Sequence, residues 1–105
     1  MPWRGKKLGL LISVRPEHPN FARGLKLAET ALEEGVDVYL YCIDEAVHGV
    51  GHPHLLGLQE RGLKLFACAY GAHRRNLAVT KQATFSGLAT LNDIIMGTDR
   101  FVSFN

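Results

Sequence analysis

Cysteine is scarce in this sequence of 105 residues, in which Cys42 and Cys68 are the two that occur. Small secreted domains that depend on disulfides have a far higher cysteine content, so the pattern favours a reducing compartment, and we expect a cytoplasmic protein. The two cysteines also lack the paired spacing of a structural zinc site. The sequence therefore predicts neither a disulfide framework nor a bound metal.

Long apolar runs and an excess of one charge are also missing. The apolar run in "KKLGLLISV" is far shorter than the roughly 20 residues of a membrane-spanning helix. It leads into "RPEHP" and not into a small-residue cleavage site, so we interpret it as a first strand. Twelve Lys and Arg against ten Asp and Glu give a net charge of +2, which is too weak to indicate binding to nucleic acid or to a membrane.

The composition is that of an ordinary globular protein, with 47% hydrophobic and 21% charged residues. A chain of this length is near the common size of one domain. It contains no internal repeat, low-complexity segment or linker. Residues 1–105 are therefore predicted to form a single domain.

Short apolar and β-branched segments are typical of buried strands in a parallel sheet. Four segments have this character, at residues 7–14, 36–43, 63–68 and 100–104. Residues 78–86 are ambiguous, with a further short strand expected near Val79. The opening strand, helix and strand form a βαβ unit with a right-handed crossover. We therefore predict an α/β fold, with a mostly parallel sheet of about five strands between two layers of helices.

Helical spacing of apolar residues predicts the first helix within "PNFARGLKLAETALEEG", with Asn20 as its N-cap and Gly35 as its stop. A closing helix is expected within "FSGLATLNDIIMG", with Ser86 as its N-cap. Its inward face is predicted to consist of Leu88, Leu91 and Ile95. Residues 44–54 are expected to form a surface loop, followed by a short helix over "LLGLQER". Two helical turns are expected over "AYGAHRRNL", directly after Cys68.

Cys68 ends the predicted third strand and begins the helix that follows. The carboxyl ends of parallel strands are where α/β proteins gather working residues, and the N–H groups of a first helical turn stabilise a thiolate. His73, Arg74 and Arg75 add positive charge five to seven residues further on. Because helical side chains lean toward the N-terminus, at least one arginine is expected to approach the sulfur. The competing interpretation is packing, since free cysteine is among the most often buried residues.

Other polar residues have simpler interpretations. Cys42 ends the second strand without a basic cluster, which favours packing, although a disulfide with Cys68 stays open if the two strands are neighbours. Five further residues are expected to lie on a polar loop: Asp44, Glu45, His48, His52 and His54. The three histidines could also bind a metal, but no nearby cysteine completes a zinc-site spacing, so the loop is favoured. The glycines of "HGVGH" match neither the dinucleotide fingerprint nor the P-loop, so no cofactor is expected.

The order of elements and the residues around Cys68 resemble the DsrE/TusD family of small sulfur-relay proteins, over nearly the whole chain. The first part of the likeness is "LGLLISVRPEHPNFARGLKLAETALEEGVDVYLYCIDEAVHGV", an opening strand and helix that lead to an acidic residue and a Gly-Val turn. The second is "CAYGAHRRNL", which is similar to the family's reactive-cysteine segment. The third is "GLATLNDIIMGTDRFVSF", which is similar to its closing helix and strand.

The resemblance implies a DsrE-like fold and persulfide chemistry. Cys68 matches the family's sulfur-carrying cysteine and Arg75 the arginine that follows it, and Arg74 is basic as in some members. Asn76 stands where the family usually has glycine, and both residue types tolerate a left-handed backbone. The resemblance also implies protein donors and acceptors of sulfur, and assembly as a homotrimer or homohexamer, or with paralogues, with the cysteine near a subunit interface.

Three functions are consistent with the sequence. The first is a sulfur-carrier or sulfurtransferase subunit of a sulfur-oxidation or tRNA-thiolation type pathway, with Cys68 as acceptor and His73, Arg74 and Arg75 as electrostatic support. The second is a non-catalytic oligomeric binding or structural subunit, in which Cys68 is packing. The third is a dithiol redox protein that uses Cys42 together with Cys68.

Overall fold

Five parallel strands form one sheet in the part of the chain that the structure, a computed structural model, describes: residues 2–78 and 80–105. The strands are β1 (Lys7–Ile12), β2 (Asp37–Cys42), β3 (Lys64–Cys68), β4 (Thr84–Ser86) and β5 (Arg100–Phe104). They lie in the order β4, β3, β2, β1, β5, so the chain builds toward one edge and returns to the other edge for β5. Each neighbouring pair is parallel, which confirms the predicted parallel sheet.

Helices cover both faces of this sheet. They are α1 (Pro19–Glu33), a 3₁₀ helix (Asp44–Gly49), α2 (Pro53–Glu60), α3 (Ala69–Arg74) and α4 (Leu88–Gly97). α1 and α2 pack against each other on one face, whereas α4 packs on the other. The predicted three-layer α/β/α architecture is therefore confirmed. No helix in the described residues is both long enough and apolar enough to cross a membrane.

The in-phase register of the strands sorts their side chains into two faces, because alternate residues of a strand point to opposite sides. The face toward α1 and α2, called the α1–α2 face, carries side chains that are 0% exposed: Leu10, Ile12, Val38, Leu40 and Cys42. Phe21 and Leu25 of α1 and Leu55 of α2 join the same buried cluster. Burying one large aliphatic or aromatic side chain contributes about 1.5–3 kcal/mol. Because most of the buried large side chains lie in this layer, it supplies most of the core.

The opposite side of the sheet, called the α4 face, is covered less completely. Gly9 lets α4 approach the sheet closely, because a Cβ atom there would lie 2.7 Å from Phe101 Cδ1 and 3.0 Å from Ile94 Cγ2. Three large side chains on this face are only half-buried: Leu11, Tyr39 and Phe66. On α4 itself Leu88 is 60% and Met96 77% exposed. The α4 face therefore presents apolar surface that the chain does not cover.

The N-caps of two helices differ from the prediction. His18, and not Asn20, caps α1: its backbone is extended, and its Nδ1 accepts a hydrogen bond of 3.0 Å from the Asn20 N–H. Asn20 instead uses its side-chain amide to donate to the Asn105 carbonyl at 2.7 Å. Ser86 was predicted to cap α4, but it ends β4, and the cap position falls to Gly87. Both predictions failed because the extended N-cap backbone falls on His18 and on Gly87, and glycine is itself a common N-cap residue.

The inward face of α4 was also predicted wrongly in part. Ile94 is buried and Leu91 half-buried, whereas Ile95 is 42% exposed. The helix places Ile94 over Gly9, where the absent side chain makes room for it. This choice of face depends on β1, which lies far from α4 in sequence.

Residues 44–54 are more ordered than the predicted loop. The 3₁₀ helix occupies the first part, and α2 begins at Pro53, where the His52 Nδ1 accepts from the His54 N–H at 3.2 Å. The fourth strand lies at Thr84–Ser86. The short strand expected near Val79 falls outside the described residues.

Candidate functional site

Cys68 is the last residue of β3 and the N-cap of α3. Its backbone is still extended, with φ −70° and ψ 115°, which turns its side chain toward the first turn of the helix. The Sγ atom accepts a hydrogen bond of 3.3 Å from the Gly71 N–H. The residue is 4% exposed. The predicted position at a strand end and a helix start is confirmed, and the thiol is enclosed.

Gly71 is the point at which the surroundings of Cys68 meet. A Cβ atom built on Gly71 would lie 3.5 Å from the Cys68 Cβ, 3.5 Å from the Val47 Cγ1 and 3.7 Å from the Arg75 Nη1. Val47 belongs to the 3₁₀ helix after β2, and Arg75 is the C-cap of α3. Gly71, whose N–H donates to Cys68, therefore also lies close to the 3₁₀ helix and to the guanidinium of Arg75.

Arg75 folds back along α3 toward the cysteine. Its Nη1 donates to the Gly71 carbonyl at 3.2 Å. Its Nε and Nη2 donate to Glu45 Oε1 at 2.9 and 2.8 Å, a two-point contact that fixes the plane of the guanidinium. The hydrogen bond from Arg75 holds the pKa of Glu45 below its ordinary value. Glu45, which was predicted to be an ordinary loop acid, is therefore the residue that positions this arginine.

His73 and Arg74 lie elsewhere. Both are exposed, and the Arg74 Cζ stands 5.8 Å from the centre of the exposed Tyr70 ring. Among the hydrogen bonds of the described residues, none joins either side chain to Cys68. Asn76 has φ 56°, which confirms the left-handed turn expected at this position. Of the three predicted basic residues, only Arg75 folds back over α3, to the Gly71 carbonyl, and none of the three forms a hydrogen bond with Cys68 within the described residues.

Tyr41 is a neighbour of Cys68 that sequence reasoning missed. It pairs in register with Phe66, and because Cys68 is two residues further along β3, both side chains point to the α4 face. Its hydroxyl donates to the carbonyls of Ser86 and Gly87, at 3.1 and 3.2 Å. Burial, and then the negative charge of a Cys68 thiolate, raise the pKa of Tyr41 to about 12. Tyr41 can be recognised as a neighbour of Cys68 only from the register in which β2 and β3 pair.

Ser86 lies directly beside Cys68. The two residues are register partners in β4 and β3. The Ser86 Oγ is buried and has no hydrogen-bond partner among the described residues. A hydroxyl with unused hydrogen-bonding capacity therefore lies on the same face of the sheet as the thiol.

Cys42 occupies a different environment, although β2 and β3 are neighbours. It pairs in register with Ala67, so it points to the α1–α2 face, whereas Cys68 points to the α4 face. Cys42 is 0% exposed, and burial raises the pKa of its thiol to about 12. The sheet separates the two sulfurs, which argues against the Cys42–Cys68 disulfide of the redox interpretation.

The histidines after β2 do not converge. His48 lies 3.7 Å from Glu45, His54 lies 4.0 Å from Glu29, and His52 is the N-cap of α2. In residues 2–78 and 80–105 no three His, Cys, Asp or Glu side chains are grouped closely enough to hold a metal ion.

Comparisons with known proteins show the fold. No protein-family model and no curated protein matches the chain. The crystal structure of the YchN protein from Escherichia coli superposes with a TM-score of 0.79 at 14% identity, over 95% of this chain and 99% of that one. BT1422, a conserved protein of unknown function from Bacteroides thetaiotaomicron, gives 0.78 at 16% identity, over 93% and 94%. These likenesses confirm the α/β fold, with its parallel sheet between layers of helices.

Proposed function

We propose that the protein is a sulfur carrier that holds sulfane sulfur on Cys68 as a persulfide. The observation that carries the proposal is the hydrogen bond from the Gly71 N–H to the Cys68 Sγ, at the first turn of a helix. Such a contact stabilises a thiolate, which is the form that attacks sulfur. The resemblance of "CAYGAHRRNL" to the reactive segment of the sulfur-relay family supports the same chemistry.

The transfer needs no external oxidant or reductant. The Cys68 thiolate attacks the outer sulfur of a donor persulfide, R–S–SH, and forms a new S–S bond. The donor's own S–S bond breaks, and its electron pair leaves with R–S⁻. In the second step an acceptor thiolate attacks the outer sulfur on Cys68. Cys68 then departs as a thiolate, which the Gly71 N–H stabilises again.

Arg75 is the proposed electrostatic support for the outer sulfur. It lies over the same helical turn as Cys68, held by the Gly71 carbonyl and by Glu45. Because Arg75 is paired with Glu45, its guanidinium is held in one position and its positive charge is partly neutralised. The enclosure of Cys68, at 4% exposed, protects a persulfide from unwanted thiols.

The same enclosure favours a second candidate, a non-catalytic oligomeric subunit in which Cys68 is packing.

In either case we propose assembly of several copies, a trimer or a hexamer, through the apolar α4 face. Leu88 and Met96, at 60% and 77% exposed, are the residues that such a contact would bury. A Met96→Glu variant is expected to dissociate the assembly in light scattering, and unchanged mass would place the contact elsewhere.

A loading and chase experiment separates the candidates. The purified protein is incubated with inorganic polysulfide, and intact and peptide masses are measured. The sulfur carrier gains one sulfur on Cys68, passes it to an added small thiol and is returned to its original mass. Cys42→Ser is expected to behave as the native protein and Cys68→Ser to remain unloaded. A folded native protein in which Cys68 stays unmodified would support the packing role.

A further inference from the structure

A cavity lies at the opposite end of the sheet from Cys68, where β1 and β5 begin. Its volume is about 410 Å³, within the range of small-molecule sites. Trp3, Leu8 and Val36 provide apolar walls. Trp3 is the single tryptophan of the chain and is 49% exposed. Trp3 is therefore part of an apolar concave surface and not an isolated exposed side chain, and such surfaces mark ligand-binding grooves.

The turn that carries Trp3 is tied to the body of the protein. The Trp3 carbonyl accepts from the Lys6 N–H at 2.9 Å, and the Gly5 N–H donates to the Gly35 carbonyl at 3.0 Å. The Lys6 carbonyl accepts in turn from the Asp37 N–H at 2.9 Å. The aromatic wall is therefore fixed to the connection between α1 and β2.

Three cationic residues line the cavity: Lys6, Lys7 and Arg100. Arg100 pairs in register with Leu8 on the α1–α2 face, whereas the alternation of β1 turns the Lys7 side chain to the α4 face. Within the described residues none of them forms an ion pair. Asp99 is the one carboxylate that lines the cavity, and its Oδ2 already accepts a hydrogen bond of 2.7 Å from the Lys7 backbone N–H. The cavity therefore combines an aromatic surface with an excess of uncompensated positive charge.

We infer that this cavity binds a small organic anion with a flat apolar body, such as an aromatic carboxylate. The ring stacks against Trp3, and the carboxylate pairs with Arg100 and Lys6. A neutral aromatic ligand would leave the cations without a counter-charge. A small inorganic anion would leave the apolar walls of the cavity exposed to water. This site stands apart from the chemistry of Cys68, and neither depends on the other.

Binding at this cavity can be tested by NMR, because the chain contains a single tryptophan whose indole N–H gives its own resonance. Amide NMR spectra of the full chain are recorded during titration with naphthoate, with neutral naphthylmethanol and with acetate. Naphthoate is expected to shift the single indole N–H resonance and the amides of Leu8 and Val36 in a saturable way. Naphthylmethanol and acetate are each expected to bind at least roughly tenfold more weakly.

Matched variants test the role of charge. A Lys6→Gln, Arg100→Gln double variant is expected to weaken naphthoate binding roughly tenfold. Lys26→Gln removes an exposed cation of α1 outside the cavity and is expected to leave binding unchanged. Equal binding of naphthylmethanol, unchanged affinity in the double variant, shifts confined to α4, or no saturable shift would each overturn the inference.

Discussion

Cys42 and Cys68 end neighbouring strands and are almost equally buried, at 0% and 4% exposed, but they lie on opposite faces of the sheet. On the α1–α2 face Cys42 is buried in the same layer as Leu40 and Ile12, and burial raises the pKa of its thiol. On the α4 face Cys68 meets a backbone N–H donor at the start of a helix. Burial therefore does not distinguish the two thiols, whereas the face of the sheet and the polar neighbours do.

The two faces also differ in what they leave uncovered. Two helices seal the α1–α2 face, so Cys42 reaches solvent only when that layer opens. On the α4 face, α4 packs over β1, and the outer side of this helix is apolar and exposed. A site that must meet other molecules is better placed on the second face.

The largest effect is expected at alkaline pH from the buried Cys42. The native state keeps this proton up to a pKa of about 12, whereas the unfolded chain releases it near 9.0. The unfolded state therefore binds fewer protons between these values, and the free energy of unfolding falls by roughly 1.4 kcal/mol per pH unit. The stability that Cys42 contributes is complete below pH 9.0 and is lost as the pH rises toward 12.

Urea unfolding at several pH values measures this slope. Cys42→Ala removes the titrating group and is expected to flatten the decline relative to the native protein, beyond the cost of the cavity it leaves. Equal slopes for the two proteins would contradict the buried, protonated state of Cys42.

The next largest effect is expected where α4 meets the sheet. Gly9→Ala places a Cβ atom 2.7 Å from the Phe101 ring and is expected to lower the free energy of unfolding by about 1–3 kcal/mol. Gly97→Ala is the control on α4, because a Cβ atom there meets nothing within 4 Å. Chemical denaturation measures both, and a neutral Gly9→Ala would mean that α4 does not pack closely on β1.

A smaller effect is expected from the hydroxyl beside Cys68. Tyr41→Phe removes the donor to the Ser86 and Gly87 carbonyls and is expected to cost about 0.5–1.5 kcal/mol of stability. Tyr39→Phe is the matched control, since the half-buried Tyr39 donates no hydrogen bond within the described residues. Similar denaturation midpoints for both variants would argue against the hydrogen bonds of Tyr41.

The smallest effect is expected from the exposed ion pair of Glu45 and Arg75. Because Arg75 lowers the pKa of Glu45 in the native state, the pair stabilises the fold above pH 4.5, and this contribution is lost as the pH falls through the native pKa. In Glu45→Gln the free energy of unfolding is therefore expected to fall less between neutral and acid pH than it does in the native protein, as measured by urea unfolding. Glu60→Gln, at an exposed carboxylate of α2, is the control. Identical acid dependence of the native protein and Glu45→Gln would contradict the pair.

Much of the fold follows from local patterns in the sequence. The apolar runs predict β1, β2, β3 and β5 within two residues at each end, and the positions of Cys68 and of the helix after it follow from them. Arg74 and Arg75 are adjacent and chemically alike, so the sequence does not tell which one folds back over α3. That choice depends on Glu45, which is 30 residues away along the chain.

The residues that sequence reasoning missed share this long-range character. Tyr41 reaches Cys68 only because β2 and β3 pair in one particular register, and a shift by one residue would place it on the other face. The same register separates the two sulfurs, which strand adjacency alone left open. Local periodicity predicts the elements, whereas pairing between distant segments decides which side chains meet.

The most direct test of the contrast is persulfide formation in two single-cysteine proteins, Cys42→Ala and Cys68→Ala. Each is treated with inorganic polysulfide under native conditions and again in urea, and sulfur uptake is followed by mass spectrometry. We expect rapid native-state uptake when only Cys68 is present, none when only Cys42 is present, and uptake by both once unfolded. Native loading of Cys42, or a Cys68 that loads only in urea, would contradict a sulfur carrier built on the α4 face.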